Sequence, residues 1–169
     1  IGATDHGSLL WLVDKSFVQF DGERYDLHPL LREFGAEQLP RGDAAEAGDR
    51  MVRHFLDRAR DQAREPELLR IESANLLGAL RLAQANGQHE IVIELGRSLG
   101  LIWWDLSAYG DLRAGMPIAA TSAATLARAQ DEACFHLAHG RACTEQSDYD
   151  EAQRLLQRAR AASHDAIAD

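Results

Sequence analysis

Four groupings of residues in this chain have the types to do chemistry. The first is Leu27-His28-Pro29, an imidazole where a β-branched and aromatic stretch gives way to a helical one. A histidine held at that junction can donate a hydrogen bond to a phosphate oxygen, more strongly when protonated. It can equally cap the helix or pack at the strand end. The second is His136, His139 and Cys143, at i, i+3 and i+7 on one helix face. Zinc accepts such donors, but structural zinc takes four ligands in paired spacing and no fourth lies nearby. The helical register turns the same three positions inward as core, so no metal site is expected. The third is Trp103-Trp104. Trp103 continues an apolar strip, while Trp104 lies off it and faces a neighbouring helix or a concave groove; packing is the expected role of both. The fourth is the carboxylate pair Asp148 and Asp150, which stand at a helix start and suit its dipole. No Ser/His/Asp or Cys/His arrangement has local support, so no catalytic residue is expected.

The elements that position these residues change in kind near residue 40. Residues 7–13 read as the end of a short helix. Ser16 to Phe20 is a β-branched and aromatic run, Asp21-Gly22 is a turn signal, and Arg24 to His28 reads as a second strand with Tyr25 and Leu27 on one face. Pro29 cannot pair inside a strand but fits a first helical turn. Leu30, Leu31, Phe34 and Leu39 give that helix an apolar side, and Pro40-Arg41-Gly42-Asp43 is expected to end it. Helix, hairpin and helix make the last part of a winged-helix domain, assigned to residues 1–40.

From Asp43 the apolar period is 3.6. One helix is expected over 44–64, with Met51, Val52, Phe55, Leu56 and Ala59 inward and Arg53, Asp57, Arg58, Asp61 and Arg64 on a solvated face. Pro66 opens the next, lined by Leu69, Leu76, Leu77, Leu80 and Ala83 and closed by Asn86-Gly87. A third starts near Gln88, with Val92, Leu95, Leu99, Ile102, Trp103 and Leu106 on one strip. Tyr109-Gly110-Asp111 reads as a turn. A fourth helix over 112–129 carries Pro117 and is expected to kink or start late. The last two cover 131–146 and 149–163. Short loops between such helices imply antiparallel neighbours. Residues 44–129 therefore form two helix pairs, and 130–169 a third. In that third pair Gly140, Tyr149, Ala152, Leu156 and Ala159 have tetratricopeptide spacing, with Leu156 filling the groove beside Gly140 and Ala152. The expected fold is mostly α: a partial winged helix with one β-hairpin, then a tetratricopeptide-like antiparallel superhelix.

Composition limits what this architecture does. The 169 residues carry a net charge of −9, spread as −4 over residues 1–40 and −5 over the rest. Neither part is basic, which argues against tight binding to a phosphate backbone by a DNA-binding winged helix. Two cysteines make no disulfide framework. No segment reads as a signal peptide, and apolar clusters such as Leu99 to Trp104 are too short to span a bilayer. A cytoplasmic protein without membrane partners is expected. The start at Ile1 and the end at Asp169, inside a helical pattern, suggest a piece of a longer chain.

Leu12-Val13-Asp14-Lys15-Ser16-Phe17-Val18, followed by Arg24-Tyr25-Asp26-Leu27-His28-Pro29-Leu30-Leu31-Arg32-Glu33-Phe34, resembles the winged-helix part of bacterial STAND-class, NB-ARC-like signalling ATPases. Leu76-Leu77-Gly78-Ala79-Leu80, Trp103-Trp104 and Ser147-Asp148-Tyr149 fall where that family has similar residues in tetratricopeptide-like helices. The resemblance implies a regulator, often of transcription. Its winged helix would couple the nucleotide state of an upstream ATPase domain to a protein, peptide or small inducer on the helices. It also implies that His28 reaches the β-phosphate of ADP and helps hold the resting state. Pro29 stands where the family motif has an aspartate. The Gly-x-x-x-x-Gly-Lys-Ser/Thr loop is absent, so ATP hydrolysis is not expected of these residues, and ADP or ATP would sit on the upstream domain. The alternative is a free-standing interaction scaffold of helical repeats.

Overall fold

The computed structural model of the chain describes residues 6–22, 25–61 and 70–168. Among the described residues it is 81% helical, with eight helices and one small antiparallel sheet. We label the elements α1 (His6–Asp14), β1 (Val18–Phe20), β2 (Tyr25–Leu27), α2 (Pro29–Gln38), α3 (Arg41–Arg60), α4 (Ser73–Ala85), α5 (His89–Asp105), α6 (Tyr109–Thr125), α7 (Ala129–Glu145) and α8 (Tyr149–Ala168). The chain divides into two compact units, 1–51 and 52–169, and the division falls inside α3. Arg24, Arg64, Pro66 and Leu69, which the sequence pattern placed in a strand or on helices, lie outside the described residues.

In the first unit the expected hairpin forms. Val18 pairs with Leu27, Gln19 with Asp26 and Phe20 with Tyr25. The rings of Phe20 and Tyr25 stack across the strands at 4.5 Å, a cross-strand pair worth roughly 0.2–1 kcal/mol. Gly22 takes φ +105°, which the turn requires and a side chain would resist. Pro29 opens α2 as expected, because its missing N–H would have had no partner in the first turn. The end of α2 differs from expectation. Leu39 caps it, and Arg41-Gly42-Asp43 begin α3 rather than ending α2. Proline fits before a helix as well as after one, so Pro40 marks the boundary without assigning the residues beyond it. No residue of α2 is buried; its apolar Leu30 and Phe34 are 69% and 60% exposed.

In the second unit the four starts His89, Tyr109, Ala129 and Tyr149 follow one another at intervals of twenty residues. Each helix from α4 to α7 ends the same way. One residue enters the left-handed region (Gly87, Ser107, Ala127, Ser147). The next amide then donates back five residues: Gln88 to Ala83, Ala108 to Trp103, Arg128 to Ala123 and Asp148 to Cys143, at 2.7–2.9 Å. This is the Schellman closure, which satisfies carbonyls that a helix end leaves orphaned. All four accepting residues are fully buried, so each turn is anchored in the core.

The expected turn at Tyr109-Gly110-Asp111 is instead the first turn of α6, and the reversal comes at Leu106 to Ala108. The left-handed position falls to Ser107, so glycine and aspartate mark the wrong three residues. Pro117 sits inside α6 without ending it. From α4 to α8 each helix packs on the next, and α4 also touches α6, as α5 touches α7. Between successive helices the contact is apolar, built on Leu76, Leu80, Leu95, Leu99, Trp103, Leu112 and Met116, all fully buried. Burying such side chains contributes about 1.5–3 kcal/mol each, more than the ion pairs between alternate helices, Arg60 with Glu94 and Arg113 with Asp148. Those pairs are solvent-exposed, so water screens them. Gly140 is buried against α8, and Leu155 packs there at 3% exposure. Leu156, the expected filler, also reaches Gly140, its Cδ2 3.4 Å from where a Cβ there would stand, but it stays 42% exposed, so Leu155 shares the groove with it.

Candidate functional site

His28 lies between β2 and α2, exposed, with extended backbone at φ −51° and ψ 135°. Its Nδ1 accepts a hydrogen bond from the Leu30 amide at 3.3 Å, and its carbonyl accepts from Leu31 and Arg32. The residue is the N-cap of α2. That bond uses the Nδ1 lone pair, so the capping ring is the tautomer with hydrogen on Nε2. The Nε2–H is left pointing away from the helix start as a donor.

Arg32, one turn along α2, donates to Asp26 Oδ1 at 3.1 Å and to the Leu27 carbonyl at 3.4 Å. Asp26 also accepts from the Leu27 amide at 2.9 Å. Asp26 and Arg32 thus tie β2 to α2 on both sides of His28. The sequence pattern did not single out this pair, since it bridges a strand and a helix and follows neither period.

The second unit separates the histidine–cysteine triplet. Cys143 is fully buried with Ala152 and Leu155, and burial raises its thiol above the ordinary range. His136 and His139 are half-buried and line a cavity of about 380 Å³ with Glu132, Glu151 and Arg158. Burial, the largest cause, lowers both imidazoles; Glu132 opposes it at His136 and Glu151 at His139. Cys143 does not line that cavity. Among the described residues, no group of three or more His, Cys, Asp or Glu side chains is placed to hold a metal ion.

The tryptophan pair divides as its register predicts. Trp103 is fully buried, and its Nε1–H donates to Ser73 Oγ at 2.8 Å, which in turn donates to Asp111 at 2.7 Å. Trp104 is half-buried, meets Tyr109 edge-on at 5.7 Å, and carries the Arg141 guanidinium 4.0 Å above its ring. It lines a groove of about 340 Å³ between α5, α6 and α7. Asp148 accepts from Arg113 at 2.6 Å and from the Glu151 amide at 3.4 Å, so it is a cap and a tie between elements. Those bonds, the one from Arg113 first, hold its carboxyl below the usual range. Among the described residues no helix is long and apolar enough to cross a membrane. No protein family, curated protein or solved structure matches the chain.

Proposed function

We propose that this chain is the regulatory region of a STAND-type signalling ATPase, a transcriptional regulator in which a partial winged helix couples nucleotide state to a tetratricopeptide-like sensor. The observation that carries the reading is the geometry of His28. Its cap bond sets the ring and leaves an exposed Nε2–H donor, as a contact to an ADP β-phosphate on a neighbouring domain requires. A second observation supports it. Trp11, Phe17, Phe20, Tyr25, Leu30 and Phe34 of the first unit are all exposed, and Val18 is its one buried hydrophobic residue among those described. Apolar side chains on that density call for a covering surface, which the upstream nucleotide-binding domain would supply.

The helical unit would be the sensor. Its twenty-residue step gives helix pairs of forty residues, longer than the ~34 of a tetratricopeptide repeat, so the likeness is one of stacking rather than of consensus. Binding that favours the open state would shift the resting equilibrium by its difference in affinity for the two states. Neither ATP hydrolysis nor direct DNA binding is assigned to these residues.

The competing reading is an interaction scaffold without nucleotide coupling. The cap bond favours it too, since capping alone accounts for a histidine at residue 28. His28→Ser in the full-length protein separates the two. Serine caps a helix as well, but its short side chain does not reach a phosphate. The regulator reading expects faster loss of bound ADP and a raised basal output, with helix content unchanged. Unchanged ADP retention together with unchanged basal output would leave the scaffold.

A further inference from the structure

We propose that the groove between α5, α6 and α7 is a binding site for a small organic anion: an apolar body of about naphthalene size bearing one carboxylate. Its floor is Met116 and Phe135, both buried, and its wall on α5 is opened by Gly100. Leu101 stands at the mouth, 72% exposed. The volume of about 340 Å³ lies at the lower end of the ~300–1,000 Å³ of pockets that hold small molecules.

The charge argument fixes the head group. The lining carries two guanidiniums and no carboxylate, in a chain whose net charge is −9. Arg97 is already neutralised: its Nε and Nη2 donate to the two oxygens of Asp131, each at 2.7 Å. Arg141 is not. Its contact among the described residues is the Trp104 face, which orients the guanidinium and leaves its N–H donors unused. A planar fork held against an indole beside an apolar floor matches a carboxylate bidentately and its hydrocarbon by burial. The site's place in regulation rests on the sensor reading above. Its binding does not, because it needs neither nucleotide nor output to be measured.

The test is calorimetric titration of the full chain with 2-naphthoate and decanoate, each beside its neutral amide. The expected result is saturable binding of at least one acid, about tenfold tighter than its amide. Arg141→Gln should abolish that preference, and Leu101→Glu should abolish binding of the acid; both positions are exposed, so the fold is spared. No saturable binding of either acid, equal affinity for acid and amide, or a preference that survives Arg141→Gln would overturn the proposal. Any of these would leave the His28→Ser result unaffected, and loss of nucleotide coupling would equally leave the groove standing.

Discussion

Gly115 decides how closely α5 and α6 approach. A Cβ built there would lie 2.8 Å from Cη2 of the Trp103 ring, closer still to Cζ3, and 3.4 Å from Leu80. Trp103 is fully buried and held by its bond to Ser73, so the ring cannot swing away. Gly115→Ala should therefore cost about 1–3 kcal/mol, the usual penalty of overpacking a filled core. Gly110, five residues earlier on the same helix, has nothing within 4 Å of such a Cβ. Gly110→Ala should be neutral or stabilising by up to about 1 kcal/mol. Urea denaturation of the two variants followed by circular dichroism checks both; equal midpoints would show that the ring yields. Nothing local in the sequence tells these glycines apart, since the difference lies in a tryptophan on another helix. The same holds for the groove. Trp104 and Arg141 meet because α5 and α7 are neighbours, and the helical period of either reveals only which face it occupies. His28 was legible as a residue at a strand–helix junction, whereas its neighbour Arg32 becomes part of the site only through Asp26.

The four Schellman closures give the second unit its step, and their chemistry is unequal. Gly87 adopts its φ of +69° freely, but Ser107, Ala127 and Ser147 hold φ of +54°, +53° and +62° with a Cβ in place. A left-handed conformation costs an ordinary residue about 1–2 kcal/mol, partly offset by the ~0.4–1 kcal/mol by which glycine loosens the unfolded chain. Ala127→Gly should therefore stabilise the protein by about 0.5–1 kcal/mol, and Gly87→Ala should destabilise it by about the same. Thermal midpoints moving in opposite directions are the expected outcome; a fall in both would show that left-handed strain is not what limits these turns. The closures also explain which boundaries were legible. Asn86-Gly87 and Ser147-Asp148 carry turn residues and are legible. At Ser107 and Ala127 an ordinary residue is forced into the turn by the packing of Trp103 and Ala123, while Tyr109-Gly110-Asp111 offers a turn signal that the helix overrides. The apolar strips were read correctly wherever a helix is buried along one face, as at Leu95, Leu99 and Trp103. At Leu155-Leu156 both leucines reach Gly140, and the pattern names only Leu156, the more exposed of the two.

Acid sensitivity brings the charge of the protein and the packing of its last three helices into opposition. Lowering the pH toward the isoelectric point of about 5.2 reduces the net charge of −9 and relaxes self-repulsion. The histidines oppose this. His136 faces Glu132 on α7 and Arg158 on α8; His139 faces Glu151 and Asp148, with Arg113 of α6 and His136 itself on the other side of the balance. Burial dominates at both and lowers them from 6.5. The unfolded chain therefore binds protons at a higher pH than the folded one. Stability from these rings is complete above about pH 6.5 and is lost as the pH falls through their lower folded values. His54 shifts in the same direction, also by burial first. The carboxylates held low by arginines, Glu94 by Arg60 and Asp148 by Arg113, contribute in a separate window, lost only as the pH falls below the ordinary carboxylate range. Between pH 7.5 and 5.5 few carboxylates titrate, so the relief of repulsion is small there and the histidines should win. The urea midpoint should fall over that interval in the unaltered protein, and the fall should shrink in His136→Gln/His139→Gln, with His54 leaving a residual slope. A midpoint that rises or stays level from pH 7.5 to 5.5 would mean that repulsion among the 27 acidic residues outweighs the buried imidazoles.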